Sequence, residues 1–276
     1  MNGFWDIMKN ATLASLLMSP VHCLFGLHIV RRGVIFIDLA VAQMAALGMA
    51  IALAQKHEIT DSATYFYSLG FALGTALLIS LTRFRLGKVP HEAIIGIVFV
   101  VASALGIIVL ENTEHGVEEL KDILSGSLLL VDSGSVNHTA LVYSILVVIA
   151  MLTWRANAAI STGESAAPTG IKRVALDFLF YALLAFVVAS SVKVAGVLVV
   201  FTWLVMPPVC AFLLVSKFEP SLLICLPVVI LGNLGGLWMS YTRDWPTGPA
   251  IVVVFGCLGS MIYAVKLILP RRLLGD

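Results

Sequence analysis

Apolar residues run through this chain in long unbroken stretches, and polar ones gather in the short links between them. Nine stretches stand out, at about residues 11–30, 34–54, 63–82, 91–110, 137–154, 175–192, 195–216, 221–241 and 248–269. Each approaches the ~20 residues that an α-helix needs to cross the hydrocarbon core of a bilayer. None alternates with the period of two that a membrane β-strand shows, which excludes a barrel. The pattern predicts an all-α, polytopic transmembrane helical bundle of about eight to nine spans, one membrane domain over residues 1–276. Ahead of the first stretch, Phe4, Trp5, Ile7 and Met8 suit a short interfacial segment over residues 1–10.

Composition narrows the class further. With 60% hydrophobic and 12% charged residues there is no room for a soluble domain of useful size. The net charge of +1 hides an asymmetry between the links. With the N-terminus outside, the inner links hold Arg31, Arg32, Arg83, Arg85, Lys88, Arg155, Lys172, Arg173, Lys217, Lys266, Arg271 and Arg272. The outer links hold Lys9, Lys56, Lys121, Lys193 and Arg243, so the count is twelve against five, as the positive-inside rule requires. The first stretch is too long for a cleaved leader, contains His22 and His28, and ends in Arg31-Arg32 rather than a small-residue cleavage site. Cys23, Cys210, Cys225 and Cys257 lie inside apolar runs with no CxxC pair, which points to buried packing. No phosphate-binding glycine loop, nucleophile constellation or nucleic-acid patch is present, so the chain hydrolyses nothing by itself and binds no nucleic acid.

Two links are long. Glu111–Ser135 lies outside and is acidic, with Glu111, Glu114, Glu118, Glu119, Asp122 and Asp132 against Lys121 alone. Glu111, His115, Glu118 or Glu119, and Asp122 fall at helical spacing, either as an entry patch for a cation or as a solvated face on which another protein docks. The segment of about 155–174 lies inside, is rich in small residues, and closes with Pro168, Gly170 and the pair Lys172-Arg173. Pro20, Pro207-Pro208 and Pro227 interrupt three spans, as kinks or as breaks that line a cavity. Gly70-x-x-x-Gly74 and Gly232-x-x-x-Gly236 are sites for close helix packing.

The residue that departs most from the apolar pattern is Asp38, about five residues into the second stretch. A charge in such a place costs roughly 2.5–3.5 kcal/mol on insertion scales, so it faces a partner or a polar path rather than lipid. Asp38 is read either as a lining of a translocation path or as one half of a salt bridge to Arg31, Arg32 or Arg83. Gln43 follows on the same helix, as a further lining group or a helix-to-helix hydrogen bond. Glu92 follows Pro90 and His91 at the start of the fourth stretch, where proline and an acid both favour a helix N-terminus. His91 is placed to titrate at the inner mouth.

Five motifs in order carry a family resemblance: Arg31-Arg32-Gly33-x-x-x-x-Asp38 with Gln43-x-x-x-x-Gly48; His91-Glu92-Ala93-Ile94-Ile95-Gly96-Ile97; Leu124-Ser125-Gly126-Ser127-Leu128-Leu129-Leu130-Val131; Val194-Ala195-Gly196-Val197-Leu198 through Pro207-Pro208-Val209-Cys210-Ala211; and Thr247-Gly248-Pro249. Over about residues 20–255 the chain resembles the membrane permeases of zinc/manganese/iron ABC importers. The resemblance implies a type II ABC importer-like permease, a homodimer in the prokaryotic cytoplasmic membrane. It implies a cytosolic ATPase subunit that binds ATP, an extracytoplasmic metal-binding protein, and a divalent metal as substrate, with no cofactor held by this chain. Glu164-Ser165-Ala166-Ala167-Pro168-Thr169-Gly170 looks like the family's coupling loop, which gives Glu164, Ala166, Ala167 and Gly170 the contact with the ATPase. One departure is clear. The family's second span pairs an acid with histidine four residues on, whereas Asp38 and Gln43 are five apart and turned about 140° from each other. Glutamine is also a weaker ligand than imidazole for zinc or manganese. The alternatives to an importer are an ion-gradient-driven carrier with Asp38 as its ion site, and a membrane scaffold without transport.

Overall fold

A computed structural model describes residues 2–59, 61–82, 90–111, 113, 115–164, 167–215 and 217–268, the side chains of Asn2, Thr82 and His91 excepted. Arg83, Arg85, Lys88, Glu114, Arg271 and Arg272 therefore lie outside the described residues. Among those described there is no strand. The helices are α1 (Asn2–Arg32), α2 (Ile37–Ala54), α3 (Ser62–Thr82), α4 (His91–Glu111), α5 (Gly116–Ser125), α6 (Ser133–Thr162), α7 (Gly170–Leu214), α8 (Phe218–Arg243) and α9 (Thr247–Ile268). A 3-10 turn, Leu128–Leu130, follows α5. All except α5 are long and apolar enough to cross a membrane.

The 45 residues of α7 would make a rod of roughly 68 Å, about twice the hydrocarbon thickness. The helix is instead broken at Gly196, whose φ of 79° and ψ of 160° reverse the chain. The contacts at three points fix the direction of its two arms. Asp177 in the first arm meets Arg32, and Phe212 in the second lies under the Arg31 guanidinium, both at the C-terminal end of α1. Between them, the Val194 carbonyl accepts from Ser127 N–H at 2.9 Å, at the opposite face. Each arm is thus one crossing, and the sixth and seventh apolar stretches of the sequence are separate spans joined at Gly196. The face that carries Arg31, Arg32, Lys172, Arg173 and Lys217 is the inner one.

The outer face explains three of the sequence motifs together. Gly126 has a φ of 72°, and a Cβ there would stand 2.2 Å from the Ala195 carbonyl carbon. A Cβ on Gly196 would stand 2.4 Å from Gly126 N, and one on Gly248 only 2.0 Å from Ser125 O. The motifs around residues 124–131, 194–198 and 247–249 therefore form one knot of touching backbones. Their glycines are required by contact and by left-handed φ rather than by chemistry.

The helix of α7 continues through its two prolines, and α1 covers the groups they free. Pro207 has no N–H for the Trp203 carbonyl, and the Cys23 thiol donates to that oxygen instead at 3.6 Å. Pro208 likewise releases the Leu204 carbonyl, against which α1 packs so closely that a Cβ on Gly26 would be 1.9 Å away. Cys23, Cys210 and Cys225 are buried, whereas Cys257 is exposed on α9 and fills no core.

The centre of the bundle is α1, α2 and the two arms of α7, with Phe25, Ile37, Tyr181 and Trp203 almost wholly enclosed. Ile97, Val100 and Ile108 of α4 and Leu141, Val148 and Leu152 of α6 point outward, as lipid-facing side chains do. Two expected boundaries move. The N-terminal aromatic stretch is no separate interfacial segment but the first turns of α1, with Phe4 and Met8 buried and Trp5 and Ile7 exposed. The inner segment of about 155–174 contracts to a link of residues 163–169. Alanine-rich sequence carries α6 on to Thr162, until Gly163 caps it with a φ of 71°.

Candidate functional site

Asp38 is the second residue of α2, because residues 33–36 form a turn rather than helix. It therefore lies in the first helical turn at the inner end, where a helix N-terminus favours an acid. Its depth is less than the apolar pattern suggests. The side chain is fully buried, and neither carboxylate oxygen has a hydrogen-bond partner among the described residues. Arg32 pairs with Asp177 and the Arg31 guanidinium lies over Phe212, while the third expected partner, Arg83, lies outside the described residues. Gln43 is buried one and a half turns further along the same helix. No group of three or more His, Cys, Asp or Glu side chains is placed to hold a metal ion among the described residues.

The partnered counterpart of Asp38 is Asp177, an acid inside the sixth apolar stretch to which the sequence pattern gives no role. Arg32 Nη1 donates to Asp177 Oδ1 at 2.9 Å, Nη2 to Asn157 Oδ1 at 2.8 Å, and Nε to Ser161 Oγ at 3.1 Å. The guanidinium also lies 4.2 Å from the centre of the Phe180 ring. Arg173 approaches the second Asp177 oxygen at 3.9 Å from the half-exposed side. The Ser161 hydroxyl spends its one hydrogen on the Asn157 carbonyl at 2.7 Å, so it accepts from Arg32. The same count makes it accept from His28 Nδ1–H, 3.0 Å away. Three helices thus share one satisfied charge.

A second buried set ties α1, α7 and α8 together at mid-depth. Trp203 Nε1–H donates to Asn233 Oδ1 at 2.8 Å, and Asn233 Nδ2 donates to Ser19 Oγ at 2.9 Å. His22 uses Nδ1–H on the Met18 carbonyl and faces Ser191 Oγ with Nε2, each at 2.9 Å. Both histidines of α1 are therefore satisfied core groups. Only their spacing of six residues, with Arg32 four beyond the second, hints at a polar face on this helix.

The inner link sits beside this core. Gly163 ends α6, Gly170 opens α7 with a φ of 59°, and Glu164 Oε1 accepts from the Thr162 hydroxyl at 2.9 Å. Ala167 N–H closes a turn on the Glu164 carbonyl at 3.0 Å. Ser165 and Ala166 lie outside the described residues. The link borders a cleft of about 540 Å³ whose walls include Arg31, Glu164, Lys217 and Glu219. Glu92 sits in the first turn of α4, where an acid suits the helix terminus, and His91 begins that helix.

On the outer face the acidic residues divide among elements. Glu111 ends α4, His115 precedes α5, and Glu118, Glu119 and Asp122 belong to α5. Glu111, His115 and Glu118 line one cleft of about 460 Å³. His115 Nδ1 is 3.6 Å from Glu118, and Glu119 instead accepts from the Thr113 hydroxyl at 3.1 Å. Asp132 caps α6, accepting from Ser135 N–H at 2.9 Å. Hydrogen bonds from the Ser135 hydroxyl and then its N–H hold the Asp132 carboxyl below the usual carboxylate range.

Comparison with known proteins gives this arrangement a relationship. A probable iron transport system membrane protein of Haemophilus influenzae is 24% identical over 257 residues, 91% of this chain and 86% of that protein. The high-affinity zinc uptake system membrane protein ZnuB of Buchnera aphidicola is 26% identical over 273 residues, 96% of this chain and all of that protein. The manganese transport system membrane protein MntC of Halalkalibacterium halodurans is 24% identical over 269 residues, 94% and 87% of the two chains. In three dimensions, PsaBC from Streptococcus pneumoniae in complex with Fab superposes with a TM-score of 0.76 at 18% identity, covering 99% of this chain and 97% of that one. An inward-facing putative metal-chelate type ABC transporter superposes with a TM-score of 0.68 at 19% identity, covering 95% and 86%. The signature of the ABC 3 transport family matches residues 4–266, from the first turn of α1 almost to the end of α9, and the chain belongs to that family.

Proposed function

We infer that this protein is the permease subunit of an ATP-driven ABC importer for a divalent metal ion of the zinc, manganese or iron class. The observation that carries this reading is the family match over residues 4–266, on a bundle whose relatives are named for manganese, zinc and iron transport. The chain has no phosphate-binding loop, so ATP is bound and hydrolysed by a separate cytosolic subunit. That subunit docks on the inner link 163–169, against Glu164, Ala166, Ala167 and Gly170. A metal-binding protein delivers the ion to the acidic outer face formed by Glu111, His115, Glu118, Glu119 and Asp122. Two copies in the cytoplasmic membrane of a prokaryote form the working permease, with alternating access driven by movement of the inner link.

Within this reading Asp38 and Gln43 line the inner part of the path. They do not form a resident metal site, since no set of three ligands surrounds them among the described residues. A buried carboxylate without a partner among the described residues attracts a passing cation while holding it weakly, which suits conduction better than storage.

The test is recovery of the intact chain from membranes with an ATPase subunit, followed by uptake in proteoliposomes supplied with zinc, manganese, iron, cobalt or nickel. Uptake of one or more of these ions that requires ATP is the expected result. Uptake that runs without ATP and follows a proton or sodium gradient would instead support the carrier in which Asp38 is the ion site. Failure to recruit any ATPase would sink the importer reading.

A further inference from the structure

The inner link is held at both ends by one buried cluster. Asn157 and Ser161 stand in the last two turns of α6, Asp177 stands two turns into α7, and Arg32 ends α1. The Arg32 side chain is 2% exposed and the Asp177 side chain 0%. Three separate N–H groups of a single guanidinium reach acceptors on two helices, at 2.8–3.1 Å. A rigid planar fork suits such bridging in a way that a flexible ammonium does not.

Buried ion pairs contribute little net stability, since desolvation offsets most of their attraction. The position of this one is more informative than its strength. It joins the two ends of the link to α1, and the first arm of α7 runs from it to the outer turn at Gly196. There Ser127 N–H holds the Val194 carbonyl and Gly126 packs on Ala195. One helix therefore connects the face of the inner link to the face of the acidic outer segment, pinned at both ends. Gly163 and Gly170, each with left-handed φ, bracket the link just outside the cluster.

We propose that Arg32 is the positioning residue through which movement of the inner link passes to α1 and to the first arm of α7. The proposal rests on the importer reading and deepens it. Arg32 touches no cargo; it fixes the ends of α6 and α7 to one another, so that a push on the link moves both as a unit. Without it the ATPase still docks and turns over, while less of that turnover reaches the transport path.

Two variants of the full chain test this, each assembled with the ATPase subunit in proteoliposomes and fed by the metal-loaded binding protein. Asn157→Ala removes the α6 acceptor of Nη2 and leaves the Arg32–Asp177 pair and the Ser161–His28 contact in place. Arg32→Lys keeps a charge against Asp177 but cannot span α6 and α7. The readout is ions imported per ATP hydrolysed. Both variants are expected to hydrolyse ATP within about twofold of wild type while that ratio falls roughly fivefold to tenfold, the low end of an ordinary coupling free energy. A ratio unchanged in both assembled variants would overturn the proposal and leave the cluster as packing. Loss of ATPase binding in the variants alone would also overturn it, because the cluster would then build the docking surface rather than transmit its motion. If wild type itself recruits no ATPase, the importer reading fails first and takes this proposal with it.

Discussion

Two regions of this bundle treat the same residue types in opposite ways. In the block of α1, α6, α7, α8 and α9, the buried acid Asp177 has Arg32 at 2.9 Å, and the small-residue pair Gly232 and Gly236 is filled by Phe255 and Ile251 of α9. In the block of α2, α3 and α4, the buried acid Asp38 has no hydrogen-bond partner among the described residues, and none of these lies within 4 Å of a Cβ built on Gly70 or Gly74. Those two glycines border an apolar groove of about 850 Å³ between α2, α3 and α4. The contrast teaches that motif and burial do not fix a role. A GxxxG pair or a buried aspartate is structural where the fold completes it, and available for other work where the fold leaves it open.

On folded stability, the largest effect falls on the completed acid. Asp177→Ala strands the Arg32 guanidinium in the core, and breaking a buried pair in this way costs about 3–5 kcal/mol. Thermal unfolding in detergent should show a large drop in melting temperature or no folded yield. A variant as stable as wild type would erase the distinction between the two acids.

Next come the glycines. Gly236→Ala places a methyl 2.5 Å from Ile251 Cα, a backbone atom that cannot rotate away, and overpacking of this kind costs about 1–3 kcal/mol. Gly74→Ala meets open space and improves helix propensity, so its melting temperature should equal or exceed that of wild type. Equal losses at the two positions would show the α3 groove to be filled in the membrane.

Asp38→Asn is the mirror of the first prediction. It removes a buried charge that no group among the described residues compensates, so folded yield and melting temperature should stay within about 1 kcal/mol of wild type or improve. ATP-dependent uptake, by contrast, should fall to background. Normal uptake would remove Asp38 from the path, and a collapse of the fold would reveal a structural partner for it.

The sequence told most about what depends on composition and least about what depends on the reversal of one helix. Nine apolar stretches are legible, with the sixth and seventh separated at residues 193–194, where Lys193 interrupts the hydrophobic run. Membership of the family could be read from five short motifs. The structure shows three of these to be one glycine knot on the outer face, which no motif reveals alone. Asp177 was hidden because a lone acid in a long apolar run looks like an interruption. Its partner Arg32 lies 145 residues away, and only the fold joins them. Asp38 was conspicuous for the opposite reason, yet the same fold denies it the arginines that stand nearest in sequence.

The smallest effect concerns a third acid, exposed where the other two are buried. Asp132 caps α6, and its carboxyl titrates below the usual carboxylate value of about 3.9 because Ser135 donates to the ionised form. A folded-state value depressed in this way adds stability that is present above the unfolded value and disappears as pH falls through the folded one. The wild-type melting temperature should therefore be flat with pH near neutrality, as far as this group is concerned, and fall slightly in acid. Asp132→Asn keeps an oxygen for the Ser135 N–H but cannot ionise, so it should be slightly less stable than wild type at neutral pH and show no acid-side loss from this group. Raised salt should shrink the difference further, since this group is open to solvent. Were Asp132→Asn to lower the melting temperature at neutral pH as strongly as Asp177→Ala does, partnering rather than burial would govern how much an acid matters in this protein.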